Sequence, residues 1–137
     1  MKGIADTGFI VAFVNRNDQH HAWALEIGRR VNDPLLTCEP VLAEAAFHLG
    51  SVPLVLSLID DGLLSLAFDL SAHLARLSAL AGTYSDRAPD LADLCIVCMS
   101  ELYPHHMVIT VDESDFRVYR RNKRDIIPTL SPGKART

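Results

Sequence analysis

The chain has 137 residues, with thirteen Lys+Arg against seventeen Asp+Glu for a formal net charge of −4, 49% apolar residues and 22% charged ones. That length and apolarity suit one domain with a sizeable core, which excludes a tandem architecture, a disulfide mini-protein and global disorder. No run reaches the ~18 to 20 apolar residues of a membrane span, and the first residues lack a signal-peptide layout; three cysteines in apolar runs, Cys38, Cys95 and Cys98, predict free thiols in a reducing cytoplasm, and the acidic balance speaks against attachment to nucleic acid by charge alone.

Residues 2–5 predict a short strand, and Phe9, Ile10, Phe13 and Val14 at helical spacing predict a helix over 7–15. A second helix is expected over 22–31, where Trp23, Ile27 and Val31 recur every four residues. Asp33-Pro34 marks a turn, and 35–37 reads as a strand. Pro40 can open a helix running to Leu49 and closed by Gly50, and Pro53 one ending near Asp61-Gly62. A buried strand follows over 63–68. Ser71 is the expected N-cap of a helix to about Tyr84. Pro89 is expected to open the next helix, to about Tyr103, before a strand over 107–111 and a last one over 126–129. Residues 1–130 read as one domain, and 131–137 as a flexible C-terminal tail. Strands alternating with helices indicate parallel pairing through crossover helices, hence an α/β sandwich. Such sheets bind ligands beyond the carboxyl ends of their strands, which directs attention to the acids there.

Asp6 directly follows the first strand. Glu44 is the only formally charged side chain in the apolar segment 40–49, so its carboxylate is expected to be half buried and in need of a partner or a metal. Asp90 and Asp93 share one face of a first helical turn, where carboxylates favour the positive end of the macrodipole. Asp112 and Asp115 follow the strand at 107–111, so Asp112 stands to its strand as Asp6 does to the first. Taken singly, each acid has an ordinary role as a cap or in an acidic turn. Brought to one sheet edge, each close pair repels by about 4 kcal/mol at an effective dielectric of about 20, so the cluster is expected to need a cation. All-oxygen donors select Mg²⁺, with Mn²⁺ as substitute.

The succession Ile-Ala-Asp6-Thr7-Gly-Phe, Leu-Ala-Glu44-Ala-Ala, Leu-Ala-Asp93 and Ile-Thr110-Val-Asp112-Glu-Ser-Asp115-Phe resembles the PIN-domain ribonucleases, in particular the VapC-type toxins of bacterial toxin–antitoxin pairs, over nearly the whole chain. The resemblance implies a three-layer α/β/α sandwich with a short parallel sheet and a Mg²⁺-dependent endoribonuclease. It also implies Asp6, Glu44 and Asp93 as core acids, Asp112 as the fourth and Asp115 as an accessory metal ligand, with Thr7, Thr110 and Asp90 in support. A metal on Asp6, Asp93 and Glu44 would lower the pKa of a bound water and aim it at a backbone phosphorus, while a second near Asp112 and Asp115 could stabilise the leaving oxygen. Whether one or two bind stays open. By the same resemblance the partners are RNA, with transfer RNA among the candidate targets, a cognate antitoxin and a second copy of the chain in a homodimer, in the cytoplasm and without a membrane.

Arg117, Arg120, Arg121, Lys123 and Arg124 place five of the thirteen basic residues within eight positions. A solvated face is one reading of this run; the other is a phosphate-binding patch beside the acids, with Tyr119 stacking on a base. Cys95-x-x-Cys98 sits in mid-helix and reads as core rather than as a zinc or redox motif. The His20-His21 and His105-His106 pairs read as solvated loops, and Trp23 and Phe47 as core or partner groove. The alternative to a nuclease is a non-catalytic α/β binding or regulatory module with a weak divalent-ion site. The four main acids equal the net charge of −4, so the acidic balance does not exclude RNA.

Overall fold

The computed structural model describes residues 1–133, with residues 134–137 of the expected tail outside them. Five short parallel strands, β1 (Gly3–Ala5), β2 (Leu35–Thr37), β3 (Leu64–Leu66), β4 (Met107–Ile109) and β7 (Thr129–Leu130), form one sheet in the order β3-β2-β1-β4-β7. A two-strand antiparallel hairpin, β5 (Arg120–Arg121) and β6 (Asp125–Ile126), lies apart from it. The helices are α1 (Thr7–Val14), α2 (His21–Arg29), α3 (Glu39–Leu49), α4 (Val52–Asp60), α5 (Leu74–Thr83), α6 (Leu91–Leu102) and α7 (Ser114–Val118). They flank the sheet, giving the expected three-layer α/β/α arrangement.

The central strands have no polar face because helices cover both sides, as a parallel sheet requires. Gly3, Ile4 and Ala5 are all buried. Gly3 has a specific reason to be glycine: a Cβ there would lie 2.4 Å from Ile109 Cδ1 across the β1–β4 pair. Helix α6 carries an unbroken buried run from Leu94 to Ser100, including Cys95 and Cys98, so the Cys-x-x-Cys pair is core. All three cysteines are free and buried. Phe9 of α1 anchors the other layer, with Phe13 and Trp23 rings each 6.0 Å away. Phe47, by contrast, is 82% exposed.

Most elements fall where the sequence places them; four differ. Asp69, not Ser71, caps the segment after β3: its carboxylate accepts from the Ser71 N–H at 3.1 Å and hydroxyl at 2.8 Å. The first turn there is a 3-10 helix over Leu70–His73, and α5 starts at Leu74. Pro89 does not begin α6, because Ala88 is left-handed (φ 48°) and Asp90 is extended, capping the helix through the Asp93 N–H at 2.8 Å. The last strand is β7 rather than 126–129, since the chain first makes the β5–β6 hairpin. Asn122 and Lys123 are both left-handed in its turn (φ 52° and 73°), a pattern usually signalled by glycine and here hidden in a charged run. Helix α7, five residues long, was not foreseen.

Chain topology fixes where chemistry can occur. The chain steps outward from β1 to β2 and β3, then returns to place β4 on the other side of β1. The boundary between β1 and β4 is therefore a switch point, where a crevice opens at the carboxyl ends of the strands. The Asp6 N–H donates to the Ile109 carbonyl at 3.0 Å, carrying the pairing one step past β1. Asp6 and Thr110 are the first residues beyond the two strand ends.

Candidate active site

Asp6 is both a helix cap and the hub of a hydrogen-bonded chain. One carboxylate oxygen accepts from the Thr7 N–H at 2.8 Å, as an N-cap does. The other accepts from the Thr110 hydroxyl at 2.9 Å. Thr110 is 1% exposed, and its oxygen in turn accepts from the Asp112 N–H at 3.3 Å. On the other flank the Thr7 hydroxyl donates to Glu44 Oε1 at 2.9 Å, joining α1 to α3. Two threonines thus link Asp6 to Glu44 and to the loop after β4.

Burial and mutual repulsion govern the electrostatics. Burial pushes the Asp6 carboxyl up to about 6, against the hydrogen bonds from Thr7 and Thr110 and with a further push from Glu44 and Asp90. Asp93, in the first turn of α6, is pushed up to about 8, first by burial and then by the charges of Asp90, Asp6, Asp115 and Glu44. Tyr119 is raised to about 12 by burial and by Asp93, Asp115 and Asp90. Five acids therefore share one field: the N-caps Asp6 of α1 and Asp90 of α6, with Glu44 in α3, Asp93 in α6 and Asp115 in α7. Among the described residues the ion pairs are Arg29–Glu26, Arg76–Glu101 and Arg117–Glu113, so no basic side chain neutralises Asp6, Glu44 or Asp93.

Asp112 is placed differently. Its Oδ1 accepts from the Ser114 N–H at 3.0 Å, and hydrogen bonding to Ser114, helped by the charge of Arg117, holds its pKa below the usual value. It is exposed two residues before α7, while Asp115, in the first turn of that helix, contributes to the field on Asp93. The sequence expectation of four carboxylates packed together is met only in part. Among the described residues no group of three His, Cys, Asp or Glu side chains converges as a ready metal site. The chemistry of the donors nevertheless fits a hard divalent cation: all are oxygens, Asp6 and Asp93 are only partly exposed, and among the described residues no Lys or Arg pairs with them.

The basic run divides into two groups. Arg117 pairs with Glu113 at 2.5 Å. Arg120 donates to the carbonyls of Arg117, Val118 and Tyr119. Arg121 donates to the Ser100 and Pro104 carbonyls at 3.0 and 3.2 Å. Lys123 and Arg124 are exposed in the hairpin without an ion-pair partner among the described residues. Tyr119 is 4% exposed, edge-on to Tyr84 and Phe116, so its ring is not presented to a base.

Sequence reading missed Gly8. A Cβ there would lie 2.3 Å from Val111 Cγ2, so glycine lets the first turn of α1 approach the loop that carries Asp112. A glycine inside a helical pattern is the only sign of it.

These features agree with comparison to known proteins. The sequence matches the PIN domain family over residues 4–122, a family whose members are generally metal-dependent nucleases. A search among curated proteins returned no match. With the match spanning most of its length and the acids gathered at the switch point of a five-strand parallel sheet, the chain belongs to the PIN domain family.

Proposed function

We propose that the protein is a Mg²⁺-dependent endoribonuclease that cuts RNA as the toxin of a toxin–antitoxin pair. The observation that carries the nuclease reading is the uncompensated field of Asp6, Glu44, Asp90, Asp93 and Asp115, with Asp6 raised by burial and by Glu44 and Asp90, and Asp93 raised by burial and by Asp90, Asp6, Asp115 and Glu44. A phosphodiester is itself an anion, so such a site binds it only with a cation between. Asp6, Asp93 and Glu44 would hold that cation, with Asp115 on its far side and Asp112 able to join from the adjoining loop. Mg²⁺ suits these oxygens, with Mn²⁺ as substitute. When bound, the ion supplies water activation and charge neutralisation at the phosphorus.

The protein's own contribution is positioning. Thr110 and Thr7 fix Asp6 and Glu44 through hydroxyl donors, and the caps of α1 and α6 fix the backbone on which Asp6 and Asp93 stand. No side chain is needed as a nucleophile. Lys123 and Arg124 are the basic residues of the charge run left to meet RNA phosphates; Arg117, Arg120 and Arg121 would do so only by exchanging their present partners. The antitoxin partner and the homodimer rest on the resemblance to VapC-type toxins, as does transfer RNA as the target. Three free, buried cysteines support a reducing cytoplasm.

The test is cleavage of total RNA with Mg²⁺ and with EDTA, by the parent and by Asp6→Asn. Metal-dependent cleavage at discrete positions, lost in Asp6→Asn, is expected. Cleavage that survives EDTA, or that Asp6→Asn leaves unchanged, overturns the assignment. The absence of any cleavage would favour the non-catalytic module instead.

A further inference from the structure

Beside Asp112 lies a cavity of about 330 Å³ with His20, Asp112, Ser114, Arg117 and Ser131 in its walls. It is coupled to the acids through backbone: the Asp112 N–H reaches Thr110, whose hydroxyl holds Asp6. A strand of nucleic acid with one phosphate on the carboxylates would therefore pass the mouth of this cavity with a neighbouring residue.

The lining indicates which part of that residue fits. Arg117 brings one positive charge, but Asp112 and Glu113 bring two negative ones, and Arg117 is already paired with Glu113 at 2.5 Å. A bare phosphate would face net repulsion. The hydroxyls of Ser114 and Ser131 and the ring of His20 can both give and accept hydrogen bonds, and the carboxylates accept. Such a mixed set matches a ribose, whose 2′-hydroxyl does both, and the edge of an unstacked base. The volume lies at the lower end of the range for small-ligand sites, about 300 to 1,000 Å³.

His20 is the side chain in the wall best placed to read this ligand. Its backbone is held at both ends, the N–H donating to Asp18 Oδ1 at 2.8 Å and the carbonyl accepting from the Ala24 N–H at 2.9 Å. Its ring has no hydrogen-bond partner among the described residues. The adjacent His21 differs, with Nδ1 at 2.7 Å from the Ala12 carbonyl.

We propose that this cavity is a nucleoside subsite, which takes the ribose and base of one unpaired nucleotide next to the phosphate on the carboxylates, and that His20 contacts that nucleoside. The proposal rests on the RNA-cleaving reading above. It is tested with the full chain on a single-stranded oligoribonucleotide whose cleavage position has been mapped, intact or carrying one abasic residue at each flanking position in turn. With the parent protein, the abasic residue at one neighbouring position is expected to raise KM about tenfold. His20→Ala should raise KM for the intact strand by a similar factor with kcat within about twofold, and should add nothing for the strand already lacking that base. His20→Gln, which keeps a donor and an acceptor, should recover part of the loss. Binding is read separately by NMR in EDTA, where nucleoside 5′-monophosphates should shift the His20 ring resonances and ribose-free phosphate should not. Normal cleavage with unchanged KM in His20→Ala overturns the subsite and leaves the nuclease reading standing. A mononucleotide shift at His20 with no cleavage of any RNA supports the subsite and overturns the nuclease reading. No shift and no KM effect overturn the proposal.

Discussion

Replacing Asp93 by Asn should strengthen the metal-free fold while abolishing its activity. Asp93 has its carboxyl raised from 3.8 to about 8, so the folded chain binds the proton more tightly than the unfolded chain does. Its contribution is fully favourable below pH 3.8 and is lost progressively as pH rises toward 8. At pH 7 the shift corresponds to an upper figure of about 4 kcal/mol at 1.36 kcal/mol per unit. Because the carboxylate keeps partial contact with solvent, screening reduces this to about 1–3 kcal/mol. Asn keeps the shape without the titration. In EDTA at pH 7, Asp93→Asn should therefore raise the urea midpoint at constant m-value, with a Tm increase of roughly 4–10 °C. The gain should shrink toward zero at pH 4, where both side chains are neutral, and Mg²⁺-dependent RNA cleavage should vanish throughout. A variant less stable than its parent in EDTA at pH 7, or one whose gain does not depend on pH, would refute the account of Asp93 as a buried, uncompensated carboxylate.

Thr110→Val removes the hydroxyl that donates to Asp6 and should cost about 1–2 kcal/mol in urea unfolding; since that bond lowers the Asp6 carboxyl, losing it should move the acidic limb of the cleavage pH profile upward from about 6. Gly8→Ala drives a methyl toward Val111 Cγ2 and should destabilise by about 1–3 kcal/mol and reduce cleavage. The double variant Gly8→Ala/Val111→Ala, which removes the opposing methyls, should regain cleavage rate, and failure to do so would show that the contact is unimportant. Arg76→Met strips Glu101 of its paired donors at 2.8 and 2.5 Å while the carboxylate, 12% exposed, still holds the Asn122 N–H. Thermal unfolding should report a loss of about 1–3 kcal/mol, with the larger figures for fully buried pairs as the ceiling.

The sheet, most of the helices and the places of Asp6 and Glu44 were legible because each leaves a periodic or positional mark: an apolar triplet before Asp6, an apolar run in β4, a charge alone in the apolar segment around Glu44. Residues that serve two purposes with the same chemistry were not. Arg120 and Arg121 look like phosphate ligands in sequence, yet a guanidinium satisfies backbone carbonyls equally well, and only the fold of the β5–β6 hairpin decides between them. Asp112 and Asp115 are alike on paper. The Ser114 N–H engages the first, and α7 carries the second toward Asp93. That short helix leaves little periodic signal, so the exchange of roles could not be read from the chain. Gly8 was missed for a related reason: close approach is a property of what lies opposite, which a single sequence does not record.

The bond between Thr110 and Asp6 joins residues 104 positions apart, and this distance has a consequence for the chain during its own synthesis. A ribosome that has delivered β1, β2 and β3 has made Asp6 and Glu44 but neither Asp93 nor the strand that abuts Asp6. The crevice between β1 and β4 does not exist until the last quarter of the chain emerges and inserts beside β1, a non-local closure that is slow relative to local helix formation. Incomplete chains therefore carry the first acids without a working edge. A truncated or stalled product that ends before β4 should therefore fold, if at all, without the acidic edge assembled.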